Sequence, residues 1–206
     1  MEKQTQFVSG TIRLEGLFDA SSGPRGAVLT HPHPIYGGDM YNPVVECLQR
    51  AYRKNGFTTL RFNFRGVGKS EGNHEDGVGE QQDVIAAVVF LAGQGIEKIE
   101  LAGYSFGAWV NALTVTDPAR VCRTIMVSPP VAFMDFSKVG AQPALSLVVT
   151  GSRDDIAPAE EIRPMLSAWN PDAALEIIEG ADHFYWSHLD VLREVLERHI
   201  RRISSA

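Results

Sequence analysis

The side chains most able to do chemistry are a serine, an acidic pair and a histidine, each directly after an apolar run. Ser105 is the centre of Gly103-Tyr104-Ser105-Phe106-Gly107, a G-x-S-x-G pattern that follows the apolar segment 99–102 and precedes a helical pattern. A serine hydroxyl is a poor nucleophile near neutral pH unless a base takes its proton. His183, in the segment Gly180–Phe184, is the candidate base. These residues predict nucleophilic attack on an acyl carbonyl.

The turn around Ser105 explains the two glycines that flank it. A tight turn from strand to helix brings the residues two positions on either side against the neighbouring chain, so Gly103 and Gly107 suit it. The same turn places the backbone N–H of Phe106 at a helix N-terminus, where it can donate to a developing oxyanion. The pattern therefore predicts an elbow with Phe106 as one oxyanion donor.

The acid that would orient His183 lies between the serine and the histidine in the chain. Gly151–Pro158 follows an apolar run and contains the adjacent carboxylates Asp154 and Asp155. The order serine, aspartate, histidine is that of α/β hydrolases rather than of the other triad folds. The sequence therefore predicts a Ser-His-Asp triad with its acid in this segment.

Two further carboxylates could compete for the role of the acid. Asp135 lies in the loop after the apolar segment 127–131, where it could also be merely solvated. Asp182 is next to His183 and too close in sequence to orient it easily, so we expect it to cap its own loop.

These side chains need a scaffold that brings several strand ends together. Short apolar runs alternate with helical patterns, which is typical of βαβ units and a mostly parallel sheet with helices on both faces. The carboxyl ends of parallel strands are where such a sheet holds its site. We predict an antiparallel strand pair over Gln6–Asp19, broken at Gly10 and Gly16, then strands at Ala27–Thr30, Thr58–Phe64, Lys98–Ala102, Thr124–Val127, Leu145–Thr150 and Leu175–Ile178. We predict helices at Pro43–Lys54, Glu80–Gly93, Phe106–Val115, Ala159–Trp169 and Tyr185–Ile203.

Composition limits the possible partners and compartment. The 206 residues, 44% of them hydrophobic, predict a single domain over residues 1–206. A net charge of −6 argues against nucleic acid as a ligand, because a phosphate-binding protein needs a basic surplus. No apolar stretch approaches the roughly 20 residues that span a membrane, and the first ten residues lack an apolar signal core. Cys47 and Cys122 are expected to be reduced and buried, so we predict a cytoplasmic protein of undetermined oligomeric state.

Five segments together resemble a known family over nearly the whole chain: Gly103–Gly107, Gly151–Pro158, Gly180–Phe184, Asn63–Gly72 and His31–Gly38. They resemble the α/β-hydrolase superfamily, and in particular its small bacterial members without a cap that are like dienelactone hydrolase or the related serine peptidases. Ala132–Pro143, between two predicted strands, leaves no room for a helical cap. True dienelactone hydrolases use a cysteine nucleophile where this chain has Ser105, so the resemblance does not extend to their substrate.

The resemblance implies roles for further residues. The family pattern G-x-x-D places the triad acid at Asp154 rather than at Asp155. The segment His31–Gly38 corresponds to the family's oxyanion loop, which implies that it supplies the second oxyanion N–H. Because proline has no N–H, Pro34 is excluded and Ile35 or Tyr36 is expected. The pocket should be shallow and open, with aromatic walls drawn from Tyr36, Tyr104, Phe133, Met134, Phe184, Tyr185 and Trp186; of these we expect Tyr104, Phe184 and Tyr185 to contact substrate.

Two motifs suggest other chemistries. His31-Pro32-His33 could begin a metal site, but a metal needs three or more converging ligands, and no later cluster with that spacing is present, so we expect no metal and two loop-stiffening histidines. Gly66-Val67-Gly68-Lys69-Ser70 is similar to the end of a P-loop, but the first glycine of that motif would fall on Asn63 and no helix pattern follows.

The sequence as a whole predicts a cofactor-free serine hydrolase that cleaves carboxylic ester or thioester bonds of small acyl substrates. One alternative is a non-catalytic binding module of the same fold, although such proteins usually lose a triad member. The other is a small peptidase or amidase, although no propeller or cap is present to select peptides.

Overall fold

A twisted sheet of eight strands forms the centre of the computed structural model, which describes residues 1–114 and 120–204. The spatial order is β1-β2-β4-β3-β5-β6-β7-β8. The β1–β2 and β2–β4 pairs are antiparallel, and the remaining pairs are parallel. The strands are β1 Lys3–Ser9, β2 Ile12–Asp19, β3 Arg25–Thr30, β4 Thr58–Phe62, β5 Lys98–Tyr104, β6 Val121–Val127, β7 Leu145–Gly151 and β8 Ala174–Ile178.

Five helices in the described residues cover the two faces of this sheet. They are α1 Pro43–Lys54, α2 Val78–Gly93, α3 Phe106–Leu113, α4 Ala159–Trp169 and α5 Leu189–Ser204. The apolar side chains of α1 and α5 pack together on one face, and those of α2, α3 and α4 pack on the other. Side chains alternate along each strand, so Val28 belongs to the second of these cores, whereas Ala27 and Leu29 belong to the first. None of the described helices is long and apolar enough to cross a membrane.

The predicted fold class is confirmed, including the antiparallel strand pair at the start. α1 and α4 have the predicted bounds, and Asn42 caps α1 by accepting a hydrogen bond from the N–H of Val44 at 2.9 Å. β4 ends at Phe62, two residues earlier than predicted. The predicted break at Gly16 is wrong, because Gly16 lies within β2, where a Cβ would come 3.1 Å from the carbonyl oxygen of Arg61 on the neighbouring strand.

Three further predictions differ from the structure at element ends. α5 begins at Leu189 rather than at Tyr185, because Tyr185 has a φ of 55° that a right-handed helix does not accommodate. α2 begins earlier than predicted, at Val78, directly after Gly77 with a φ of 85°. α3 ends at Leu113, and the predicted end at Val115 lies outside the described residues. Cys47 is buried as predicted, but Cys122 is exposed, which corrects the prediction of two buried thiols.

The sheet register places the functional segments along one edge. Thr30 at the end of β3 is opposite Gly103, and Tyr104 at the end of β5 is opposite Val127. Gly151 at the end of β7 is opposite Ile178. The loops that follow β3, β5, β6, β7 and β8 therefore emerge side by side, because parallel strands share their carboxyl edge.

Candidate active site

Ser105 occupies a strained turn between β5 and α3. Its φ is 54° and its ψ is −119°, in a region that a residue with a side chain rarely adopts. A Cβ on Gly103 would lie 2.6 Å from the backbone nitrogen of Ala108, and one on Gly107 would lie 2.7 Å from the carbonyl oxygen of His31. Contact distances of this kind exclude any larger residue, so the two glycines are required for the reason that the sequence predicts.

A continuous chain of hydrogen-bonding contacts links Ser105 to His183 and Asp154. His183 Nε2 lies 3.0 Å from Ser105 Oγ. On the other side of the ring, His183 Nδ1 lies 2.9 Å from Asp154 Oδ1 and 3.0 Å from Asp154 Oδ2. All three side chains belong to buried residues. Because an ionised carboxylate only accepts hydrogen bonds, Nδ1 carries the ring proton and Nε2 is left to accept the proton of the serine.

The surroundings of Asp154 keep it ionised. Burial by itself raises the pKa of this carboxyl, but the hydrogen bond and charge of His183, with hydrogen bonds from the Ser128 side chain and the Ala157 N–H, lower it below its ordinary value. Asp154 Oδ1 accepts hydrogen bonds from the N–H of Ile156 at 3.1 Å and from the N–H of Ala157 at 2.8 Å. The carboxylate is therefore fixed by its own loop before it meets the histidine.

A hydrogen bond from Tyr104 fixes the backbone of the loop that carries His183. The Tyr104 hydroxyl donates to the carbonyl oxygen of His183 at 2.9 Å, across a sequence separation of 79 residues. Burial raises the pKa of the Tyr104 phenol, so the hydroxyl keeps the proton that it donates. Tyr104, next to Ser105, thus holds the backbone of His183.

The competing carboxylates do not contact the histidine ring. Asp155 is exposed, one residue beyond the buried Asp154. Asp135 is exposed and accepts a hydrogen bond from the N–H of Ser137 at 2.8 Å. Asp182 accepts from the N–H groups of Phe184 and Tyr185 at 3.1 and 2.9 Å, which is the loop-capping role expected for it. The geometry favours Asp154 as the acid.

The oxyanion loop differs from the prediction. Residues Pro34–Tyr36 form a short 3₁₀ turn that uses the two N–H groups expected to face substrate. The N–H of Ile35 donates to His33 Nδ1 at 3.3 Å, and that of Tyr36 donates to the His33 carbonyl oxygen at 3.2 Å. Ile35 and Tyr36 are therefore unsuited to be the second donor, because their protons are already engaged.

Two other backbone N–H groups lie beside the serine without an acceptor. Within the described residues, no protein group accepts a hydrogen bond from the N–H of Phe106 or from that of His33, and both residues line the cleft that contains Ser105. The sequence contained an indication, which the prediction missed, that His33 could supply the second N–H. Among residues 32–34, only His33 has an amide hydrogen, because both of its neighbours are proline.

Ser105 and His183 open into a cleft of about 460 Å³. Tyr104 and Phe184, two of the residues predicted to contact substrate, line it together with Tyr36, Phe133 and Met134. Its other lining residues are Pro32, His33, Gly37, Gly38, Asn42, Phe106, Pro130 and Ile156.

The prediction that Tyr185 contacts substrate is wrong. Its side chain is fully buried, outside the lining of the cleft, and its hydroxyl lies 2.7 Å from Ser128 Oγ. Trp186, also considered for the wall, is exposed on a separate groove with α1 residues such as Arg50. The two residues after His183 therefore face opposite ways: Phe184 faces the cleft and Tyr185 faces the core.

Solved structures of known proteins have the same fold over almost the whole chain, and the following two are at least 30% identical in sequence. An α/β serine hydrolase homologue from Coxiella burnetii is 34% identical with a TM-score of 0.86, covering 95% of this chain and 96% of its own. An α/β serine hydrolase without a lid, from Xanthomonas campestris, is 30% identical with a TM-score of 0.89, covering 98% and 94%. This chain is an α/β hydrolase without a lid. An uncharacterized protein of Rickettsia prowazekii (strain Madrid E) is 34% identical over 185 residues, which are 84% of this chain and 78% of that protein. No protein-family model matches the chain.

The absence of a lid in this α/β hydrolase is visible between β6 and β7. Residues 128–144 contain turns but no helix, and Phe133 in this segment is exposed beside the cleft. The rings of Phe133 and Tyr36 lie 6.2 Å apart between their centroids, so aromatic residues from two loops form the rim. The cleft of this α/β hydrolase thus opens directly to solvent.

The structure of the α/β hydrolase also shows what surrounds the His-x-His and P-loop-like motifs. Both ring nitrogens of His31 contact backbone groups, at Pro32 and Phe64. Within residues 1–114 and 120–204, no three histidine, cysteine, aspartate or glutamate side chains converge as metal ligands would. The segment Gly66–Ser70 continues into turns, and the next helix, α2, begins only at Val78.

Proposed function

We propose that this α/β hydrolase cleaves carboxylic esters or thioesters of small acyl substrates through a covalent acyl-serine. The observation that carries the proposal is the unbroken contact chain from Ser105 through His183 to Asp154 at the floor of an apolar cleft. Such a chain converts a serine hydroxyl into a nucleophile for acyl transfer.

The arrangement supports a two-step reaction. His183 Nε2 takes the proton of Ser105 as its oxygen attacks the acyl carbon, and the resulting imidazolium is stabilised by Asp154. Collapse of the tetrahedral intermediate breaks the bond to the alcohol or thiol, which leaves with the proton from His183. Water then attacks the acyl-serine with His183 again as base, releasing the acid and restoring the serine.

The negative charge on the carbonyl oxygen needs donors that are already in place. In this proposal the N–H groups of Phe106 and His33 supply them, because neither has an acceptor among residues 1–114 and 120–204 and both residues line the cleft beside Ser105. The helix N-terminus at Phe106 adds a favourable dipole. No cofactor enters any step.

The test compares Ser105→Ala with Ser187→Ala, an exposed serine outside the cleft. We expect Ser105→Ala to fold normally, to lose labelling by a fluorophosphonate and to lose hydrolysis of p-nitrophenyl acetate by several orders of magnitude, leaving about 10³–10⁴ over water. Ser187→Ala should keep both activities. Equal rates for Ser105→Ala and the parent would refute the proposal. Labelling of the parent without turnover on esters or thioesters would favour an amide substrate or a binding role instead.

A further inference from the structure

His31, at the end of β3, is fully buried and makes two hydrogen bonds that the proposed reaction does not use directly. Its Nε2 lies 3.0 Å from the backbone nitrogen of Phe64, and its Nδ1 lies 2.7 Å from the carbonyl oxygen of Pro32. A backbone N–H can only donate, so Nε2 must accept and the ring proton must be on Nδ1. Burial lowers the pKa of His31 to about 4, which keeps the ring neutral near pH 7. Nδ1 therefore donates to the Pro32 carbonyl.

This carbonyl shares a peptide group with the N–H of His33. No cis peptide bond occurs in the described chain, and in a trans peptide the C=O and N–H point in opposite directions. Because His31 holds the oxygen of the Pro32–His33 peptide in the interior, the hydrogen of that peptide faces away from it. His33 lines the cleft together with Ser105 and Phe106.

The other side of the same peptide is also held. A Cβ on Gly38 would overlap the carbonyl group of Pro32, so the backbone of Gly38 packs directly on it. The N–H of Gly38 donates to the carbonyl oxygen of His33 at 3.0 Å. The peptide is therefore enclosed between the His31 ring and the returning loop, which limits its rotation.

We propose that His31 is a positioning residue for oxyanion stabilisation, whose Nδ1–H orients the Pro32–His33 peptide so that the His33 N–H faces the reacting carbonyl oxygen. This inference rests on the proposed function, in which that oxygen becomes negatively charged. A hydrogen bond to the carbonyl end of a peptide also polarises its N–H, which strengthens the same donor. His31 acts through the peptide and does not touch substrate.

The experiment separates the two hydrogen bonds of His31 with a matched pair of variants. Asparagine places an amide N–H near the position of Nδ1 and keeps the bond to Pro32. Glutamine places an amide oxygen near the position of Nε2 and keeps the bond to Phe64. Each variant keeps one bond and loses the other, so a merely structural role predicts that both lose activity in proportion to their loss of stability.

We expect His31→Gln to lower kcat by about 10²-fold or more, the effect of losing one oxyanion donor, with KM changed by less than about twofold. His31→Asn should keep most of kcat. Rates are normalised to the number of sites that a fluorophosphonate labels at completion. A trifluoromethyl ketone, which forms a charged hemiketal with the serine, should bind more weakly to His31→Gln by about the factor lost in kcat, while the corresponding neutral alcohol should bind unchanged.

Equal losses in both variants, or full kcat in His31→Gln, would overturn the inference. If neither variant folds, the parent still decides the matter: long-range ¹⁵N–¹H spectra of its imidazoles should show His31 protonated on Nδ1 at neutral pH, and protonation on Nε2 would overturn the inference. The proposed function has its own failure, equal ester hydrolysis by Ser105→Ala and the parent, so the two ideas are separable. An enzyme that needs Ser105 but not the His31 contact refutes only the inference.

Discussion

Replacing Asp154 by asparagine tests whether the carboxylate sets the tautomer of His183. The hydrogen bonds around Asp154 determine the orientation that the asparagine amide will take. Asp154 Oδ1 accepts from the N–H groups of Ile156 and Ala157, so the amide oxygen must take that position. The NH₂ group then occupies the Oδ2 position, 3.0 Å from His183 Nδ1. In the parent both carboxylate oxygens lie within 3.0 Å of Nδ1 and fix the ring proton there. The amide replaces one of these two acceptors by an N–H that would oppose that proton, which favours the tautomer with its proton on Nε2.

That tautomer removes the base, because Nε2 would present a proton to Ser105 instead of a lone pair. In serine proteases the same change in a triad lowers kcat by about 10⁴, which corresponds to about 5.4 kcal/mol of transition-state free energy. We expect a loss of this order for Asp154→Asn, with little change in KM because the residue does not line the cleft.

The assay is steady-state hydrolysis of p-nitrophenyl acetate at pH 7, with sites counted by fluorophosphonate labelling. Asp155→Asn is the matched control, since it makes the same chemical change one residue away on an exposed side chain. For this variant we expect the free energies of unfolding and of the transition state each to change by less than about 0.5 kcal/mol. A larger loss in Asp155→Asn than in Asp154→Asn would move the acid by one residue. A loss below tenfold in both would show that neither carboxylate orients the base.

Two other predictions concern the cleft. On p-nitrophenyl esters kcat/KM should peak at acyl chains of roughly C2 to C6. Beyond that length an uncovered cleft cannot bury further CH₂ groups, so the binding free energy of about 0.8 kcal/mol per buried CH₂ is no longer gained. A steady rise in kcat/KM from acetate to palmitate would contradict this. Tyr185→Phe should lower the free energy of unfolding by about 1 kcal/mol, through loss of the hydrogen bond with Ser128, and leave KM unchanged because the side chain is buried outside the cleft. Chemical denaturation and ester kinetics measure the two effects, and a raised KM with unchanged stability would place Tyr185 in the substrate site instead.

The turn around Ser105 could be predicted from the sequence because the interactions that specify it are local. Gly103 and Gly107 are needed for contacts within one turn and with the adjacent strand end, so their spacing around Ser105 is visible in the sequence. The alternation of apolar runs with helical patterns likewise predicts the sheet, because each element buries a face of its own period.

The sequence did not determine which N–H groups were free to bind an oxyanion. The Pro34–Tyr36 turn uses the protons of Ile35 and Tyr36, and that turn depends on how the loop packs after β3. The contact from Phe64 to His31 spans 33 residues and exists only because β3 and β4 are neighbours in the sheet. No local pattern encodes such a distance.

The burial of individual side chains was also decided by tertiary structure. Phe184 and Tyr185 are adjacent aromatic residues, yet one lines the cleft and the other is in the core. The φ of 55° at Tyr185 turns the chain there, delays α5 and brings the hydroxyl to Ser128, a residue 57 positions away. Residue type predicts that an aromatic ring will be buried, but only the three-dimensional path of the backbone determines whether the ring faces the cleft or the core.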